Sequence, residues 1–238
     1  MKAAKGAAEQ GFTLVELAMA VAVGLVLLAA ILSAVVAGQR SASGIERRVT
    51  TGQDARIALE IMGAEIRMAS YNPLYAVGLW VTPADCGTAA EQGRRGIQEA
   101  TATAITVEMD LDPDGLCGSS PNEIIRYAYD GPSGRVTRET IRCTAGRRTS
   151  SGAQPFLGPI PSNAAVKTLR VVNGAVPLFR YYDGSGAEIV NLPAEIQRIR
   201  RIEIALVVES ADADPRTGEP RRIAFSTSVA PRNHGVRF

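Results

Sequence analysis

The sequence predicts an α+β fold in which one long N-terminal helix packs against an antiparallel β-sheet. Three observations lead to this prediction. The segment from Leu17 to Ala37 is apolar and contains no ionisable side chain. The next segment repeats apolar residues at helical spacing as far as Asn72-Pro73. The remainder alternates β-branched or aromatic stretches with turns rich in glycine.

The apolar segment is long enough to cross a membrane as a helix. At about 1.5 Å per residue, its length matches the roughly 30 Å hydrocarbon core of a bilayer. We therefore predict a transmembrane helix over residues 12–38. The alternative is a cleaved secretory signal, whose apolar run of roughly 7 to 15 residues precedes a small-residue cleavage site. The run here is longer, although Ser33 to Ala37 supplies small residues of the kind that such a site needs.

Residues 39–70 predict an amphipathic continuation of the same helix. Leu59, Met62 and Ile66 recur at steps of three or four, while charged residues such as Glu60 occupy other faces. Asn72-Pro73 should end the helix, because proline lacks the backbone donor and disfavours helical geometry at the residue before it.

Residues 71–238 predict a globular domain rich in β-strands. Asn173-Gly174 has the composition of a two-residue hairpin turn, and residues 144–164, rich in Gly, Pro and Ser, are expected to form a loop. The predicted strands are Ala104 to Met109, Glu123 to Tyr129, Arg135 to Cys143, Thr168 to Asn173, Ala175 to Tyr182 and Ile199 to Glu209.

A short polar leader precedes the apolar segment. Residues 1–11 carry two lysines and end at Gly11, an aromatic residue follows as Phe12, and one carboxylate interrupts the apolar run as Glu16. This arrangement resembles the type IV pilin superfamily. The resemblance implies that a prepilin peptidase cleaves between Gly11 and Phe12 and that Phe12 is then N-methylated. It also implies a cytoplasmic N-terminus and a periplasmic domain over residues 71–238.

The position of Glu16 has a physical rationale within this resemblance. A charged carboxylate near lipid costs about 2.5 to 3.5 kcal/mol on insertion scales unless water or a positive partner is close. Cleavage creates a partner, because the new amine of Phe12 on an incoming subunit can pair with Glu16 of its neighbour when helices stack with an axial offset. The alternative for an isolated Glu is a position at the headgroup level.

The C-terminal half is similar to the endings of PilW-type minor pilins and of J-type pseudopilins from type II secretion. The similar stretches are Phe179 to Gly184, Ile199 to Ile204 and Ser226 to Val229. The resemblance implies a low-copy subunit that helps to initiate or cap filament assembly at or near the tip. It implies other pilins or pseudopilins, the prepilin peptidase and an inner-membrane assembly platform as partners. We favour the minor pilin over the pseudopilin, and a single-pass anchored binding or adhesion module that never polymerises is the competing class.

Two small groups of residues predict local chemistry. Asp110, Asp112 and Asp114 follow the first half of a calcium-binding loop, but its twelfth position is Pro121 and Glu123 comes two residues late. We expect an acidic solvated turn, with calcium as the alternative. Three cysteines in an oxidising compartment predict one disulfide and one thiol, with Cys86–Cys117 and Cys117–Cys143 as the leading pairs.

Composition disfavours several other classes of function. The 26 Lys and Arg residues nearly balance 24 Asp and Glu residues, so an extended nucleic-acid surface is not expected. The sequence has no phosphate-binding glycine loop or nucleophile elbow. The single histidine, His234, is predicted to be a tail residue. We therefore expect a structural protein rather than an enzyme.

Overall fold

The structure is a computed structural model that describes residues 13–161, 169–213 and 217–235. For residues 40–51 and 212 it describes the backbone alone. The chain forms two compact units, Met1–Glu46 and Arg47–Phe238. Helix α1 covers Leu14–Arg67 and contributes residues to both units.

The first unit contains the apolar part of α1. The helix is continuous from Leu14, which confirms the predicted helix over residues 12–38 except at its first positions, and Phe12 lies outside the described residues. Its stretch Leu14–Gln39 is long and apolar enough to cross a membrane, and none of its most apolar window is buried within the structure. This helix therefore exposes its apolar side chains on every face.

The second unit contains the amphipathic part of α1. Ala55, Leu59, Met62 and Ile66 are buried at steps of three or four, as predicted, while the side chains of 40–51 lie outside the described residues. The helix ends at Arg67, a few residues before the predicted stop. The backbone N–H of Met68 donates to Glu65 O at 3.1 Å, so the last turn tightens to 3₁₀ geometry.

The rest of the second unit consists of two antiparallel sheets. The first has the strand order β1-β2-β3-β4-β5, with β6 also paired to β4, and the second has the order β10-β9-β7, with β8 also paired to β9. The strands are β1 (Ile97–Ala100), β2 (Ala104–Glu108), β3 (Ile124–Asp130), β4 (Arg135–Thr144), β5 (Arg147–Ser150), β6 (Gln154–Leu157), β7 (Arg170–Val171), β8 (Phe179–Tyr182), β9 (Arg201–Ala213) and β10 (Pro220–Val229). The α+β class is confirmed.

The strand predictions hold best where the strands are long. Four predicted strands become β2, β3, β4 and β9 with small shifts of their ends. The predicted strand over Thr168 to Asn173 contracts to the two residues of β7, and that over Ala175 to Tyr182 contracts to β8. The predicted loop over 144–164 instead contains β5 and β6, while residues 162–168 lie outside the described part.

The predicted hairpin at Asn173-Gly174 is wrong. Strands β7 and β8 flank this turn, but each pairs with β9 and not with the other. The side chain of Asn173 explains the difference, because its amide donates to Ala205 O at 2.7 Å and its Oδ1 accepts from Val207 N at 2.9 Å. Asn173 thus bonds to the backbone of β9 in the gap between the two short strands.

The core of the second unit lies between α1 and the two sheets. Tyr127 of β3, Phe179 of β8 and Ile204 of β9 belong to the same core cluster as the buried face of α1. A smaller apolar cluster forms around Trp80, Cys117 and Ile141. Its members come from the segment after α1, the turn after β2 and strands β3 and β4.

Candidate functional site

The start of α1 is organised by a capping box between Thr13 and Glu16. The Thr13 backbone N–H and hydroxyl both donate to Glu16 Oε2 at 2.9 Å, and the Glu16 N–H donates to Thr13 Oγ1 at 3.2 Å. Reciprocal bonds of this kind satisfy donors that a helix N-terminus leaves free. In the sequence, the spacing Thr-x-x-Glu is the signal for this capping box.

The capping box places the Glu16 carboxylate at the N-terminal end of the helix. That end carries partial positive charge from the helix dipole, which favours a carboxylate. Glu16 is exposed, as are the apolar side chains that follow it, such as Leu14 at 84%. The predicted processing residues Gly11 and Phe12 lie outside the described residues, so their cleavage stays a prediction.

The segment between β2 and β3 carries the acidic residues considered for calcium. Carboxylate oxygens of Asp110, Asp112 and Glu123 lie within 4.8 Å of one another. Asp114 does not belong to this group, and its role as a ligand stays a prediction. Its Oδ1 accepts from Leu116 N at 2.8 Å and shapes the turn. Glu123, which the sequence placed two residues late, occupies the position near the other two carboxylates.

The same carboxylates bond extensively to their own loop. Glu123 accepts from the backbone N–H groups of Leu111, Gly118 and Ser120 at 2.9 to 3.0 Å. Burial is the largest influence on Glu123 and raises its pKa, whereas the hydrogen bond from Ser120 lowers the pKa of Asp112. The group could hold a hard cation, yet its hydrogen bonds already account for its geometry. Calcium binding therefore stays a prediction.

The disulfide joins Cys86 to Cys143, with a Cα–Cα distance of 5.4 Å. Both predicted pairs were wrong because each included Cys117, which is a buried free thiol. The expected count of one bridge and one thiol is confirmed. Cys117 packs with Leu79 and Trp80 in the smaller apolar cluster, and this burial raises the pKa of its thiol. The tertiary packing decides which cysteine is buried, and the spacing of the cysteines along the sequence does not reveal it.

His234 is buried at 1% exposure, so its prediction as a tail residue is wrong. Its Nε2 lies 2.9 Å from Ile196 O, and because a carbonyl only accepts, Nε2 carries the proton. Ser70 Oγ therefore donates to Nδ1 across 2.9 Å. Burial lowers the pKa of His234 to about 4. Ser70 is only 3% exposed, so this serine and histidine pair is enclosed and holds the C-terminal segment in place.

Glu108 is a second buried ionisable group that sequence reasoning missed. Its Oε2 accepts from Val81 N at 3.2 Å and from Gln98 Nε2 at 3.3 Å, while Oε1 has no partner among the described residues. Burial raises the pKa of this carboxyl well above its usual range.

Comparisons with protein-family models, with curated proteins and with solved structures found no match. The functional features that the chain itself offers are therefore those of the two units. The first supplies an exposed apolar helix with a single capped carboxylate near its start. The second supplies a closed α+β core with one disulfide.

Proposed function

We propose that this chain is a minor pilin, a low-copy structural subunit of a type IV pilus. In this proposal a prepilin peptidase cleaves between Gly11 and Phe12, and Phe12 is then N-methylated. The apolar part of α1 anchors the subunit in the bacterial inner membrane as a single span, with the second unit in the periplasm. The subunit helps to initiate or cap the filament, and it acts without catalysis.

One observation carries the proposal. Glu16 is the only ionisable residue from Leu14 to Gln39, and it follows the Gly11-Phe12 junction by one helical turn. A charge in this position is costly beside lipid, by about 2.5 to 3.5 kcal/mol on insertion scales. A helix that served only as an anchor would insert more favourably with an apolar residue in place of Glu16. The carboxylate has a role if a positive partner binds it during assembly.

The capping box supports the same role for Glu16. Thr13 gives one of its oxygens, Oε2, two neutral donors, so Thr13 provides no positive partner for the carboxylate. The Phe12 amine of a neighbouring subunit, created by cleavage, would supply the missing positive charge. Cleavage before Phe12 leaves the Thr13 N–H in place, so the capping box is compatible with the processed chain.

The second unit supports a structural role as well. A helix packed on antiparallel sheets is the organisation that a pilin subunit would need. The Ser70 and His234 pair is enclosed, so it offers no substrate a route to a nucleophile. The partners in this proposal are other pilins or pseudopilins, the prepilin peptidase and the inner-membrane assembly platform.

The proposal is tested by neutralising the carboxylate in a cell that assembles filaments. Glu16→Gln should leave cleavage and membrane insertion intact but reduce incorporation into filaments by roughly tenfold or more, because the pairing charge is gone. Glu60→Gln is the matched control, since Glu60 is an exposed glutamate of α1 beyond the apolar stretch. Equal incorporation of both variants would contradict the proposal and favour an anchored module that does not polymerise. Loss of protein secretion in place of pilus assembly would identify a pseudopilin.

A further inference from the structure

Strand β10 forms an open edge of the second sheet. It ends the strand order β10-β9-β7, and no other described strand pairs with it. Its residues from Ile223 to Val229 contain no charged residue and no proline. Within the described part of the chain, this is the longest run of strand whose outer side lacks a partner.

The hydrogen bonds of β9 show which groups of β10 face outward. Val207 O accepts from Val172 N at 2.7 Å, and Ala205 N donates to Leu178 O at 2.9 Å. Ala205 and Val207 therefore direct their backbone groups away from β10. Because these directions alternate along an antiparallel strand, Leu206 must direct its backbone groups toward β10.

The register then assigns the backbone of β10. Leu206 lies opposite Phe225, and Ile204 lies opposite Thr227. Phe225 and Thr227 therefore bond to β9, while the residues between them turn their N–H and C=O groups to the open side. The residues with outward backbone groups are Ala224, Ser226 and Ser228, and all three are exposed.

The other sheet edges are protected by common devices. Strand β7 has only two residues, β1 has four, including Glu99, and β8 has four, including Arg180. Strand β5 carries Arg147 and Arg148, and β6 contains Pro155. Short length, charge and proline all discourage the addition of another strand. From Ile223 onward β10 has none of these devices.

The two faces of β10 also suit an added strand. Phe225 and Val229 point toward α1, where a Cβ built on Gly52 would lie 3.7 Å from Phe225 Cζ and one on Gly63 would lie 3.3 Å from Val229 Cγ2. The helix thus supports the inner face. On the outer face the side chains beside the open edge are small, as at Ala224 and Ser226, so a neighbouring backbone can approach.

We infer that β10 is a strand-addition site, which binds an extended, uncharged segment of another polypeptide along Ala224 to Ser228. Backbone groups supply the recognition, because an open row of alternating donors and acceptors is complementary only to an extended chain. The absence of charge between Ile223 and Val229 selects an uncharged segment. The open edge is independent of the proposed pilin role, whereas the preference for another polypeptide over a second copy rests on the membrane anchor of that proposal.

A second copy of β10 is not the partner that the geometry favours. The contacts of Gly52 with Phe225 and of Gly63 with Val229 show that β10 and this part of α1 run in the same direction. Antiparallel pairing of two β10 strands would set the corresponding helix segments of the two copies in opposite directions. Chains anchored by the same N-terminal helix would not share that arrangement.

The test uses the full chain in detergent micelles and an acetylated, amidated heptapeptide of alternating threonine and valine. With peptide at millimolar concentration, amide exchange at Ala224, Ser226 and Ser228 should slow by about threefold or more. Exchange at Phe225 and Thr227 should not change, because those amides already bond to β9. Ser226→Pro should abolish the effect by removing the central outward donor, and Ser226→Thr should retain it.

A second pair of variants keeps the test informative if the proline variant does not fold. Ala224→Lys should also abolish the slowing, because a charged edge resists pairing, whereas Val190→Lys adds the same charge at an exposed site elsewhere and should not. No slowing in the unaltered chain, or equal slowing at Phe225, would overturn the inference. So would protection that appears without peptide as the chain concentration rises, since this would identify self-association. None of these results depends on processing at Gly11.

Discussion

The two units of this chain treat apolar side chains in opposite ways. In the first unit, Leu25 and Ile31 are exposed at 62% and 59%, and nothing within the structure covers that helix. In the second unit, Met62 and Ile66 are fully buried on the same helix. The second unit thus supplies its own apolar environment, whereas the first must receive one from lipid or from neighbouring chains.

Removing the disulfide should give the largest change in the stability of the second unit. Replacing both Cys86 and Cys143 with alanine releases a loop with a sequence separation of 57. By the chain-entropy model this should lower the free energy of unfolding of the second unit by about 4 kcal/mol. Denaturant titration followed by Trp80 fluorescence measures the change. Val77→Ala, a substitution at a fully exposed position, is the control, and equal midpoints for the two proteins would contradict the prediction.

A matched pair on α1 tests which face of the helix the second unit buries. Ile66→Ala removes a side chain that is 0% exposed and should cost about 2 to 5 kcal/mol, because it leaves a cavity. Ile61→Ala removes the same atoms from a side chain that is 41% exposed and should cost much less. Chemical denaturation of the full chain in micelles compares the two. Similar losses would show that the assigned buried face is wrong.

A charge placed in the apolar helix of the first unit tests whether that helix inserts into a membrane. Leu25→Arg should weaken membrane insertion by about 2.5 to 3.5 kcal/mol, because an arginine at the centre of a span must be desolvated. The membrane fraction after carbonate extraction reports the change. Val77→Arg, at a fully exposed position of the second unit, should leave that fraction unaltered. An unchanged Leu25→Arg protein would argue against a membrane-spanning helix.

The smallest predicted effect is a pH dependence from His234. Its pKa is lowered to about 4 in the folded chain from an ordinary value of 6.5, so the unfolded chain binds the proton more readily between these values. Stability is therefore greatest above about pH 6.5 and falls with pH until about pH 4. Between pH 7.5 and 5.5 the loss should be about 1.4 kcal/mol.

Thermal denaturation of the unaltered chain and of His234→Gln measures this dependence. The variant should be less stable than the unaltered chain at pH 7.5. Its stability should then fall less between pH 7.5 and 5.5, because it has no histidine to protonate. If both proteins showed the same slope over that window, the buried neutral histidine would be contradicted.

The α+β class, the apolar helix and the long strands were predictable because each depends on periodicity over many residues. The end of α1 and strands β2, β3, β4 and β9 follow from such patterns. Strand β7 was overestimated, since the Asn173 side chain takes over backbone bonds that a longer strand would make. Strand β10 was missed, although its alternation of Ile223, Phe225 and Thr227 was visible in the sequence.

The site residues divide in a similar way. Glu16 was identified from its isolation in an apolar run, which is a local signal. The partner of Cys86 and the burial of His234 depend on contacts between distant segments. Local spacing carries no information about such contacts, so sequence reasoning failed at each of them.

The most direct test of the central claim is the N-terminal mass of the protein recovered from membranes. The account predicts a chain that begins at N-methylated Phe12, and it predicts that Gly11→Val abolishes this product while Gly6→Val, within the same leader, preserves it. A chain that begins at Met1 would indicate an uncleaved anchor, and a chain that begins near Ser41 would indicate a secreted domain. Either result would contradict the proposed filament subunit.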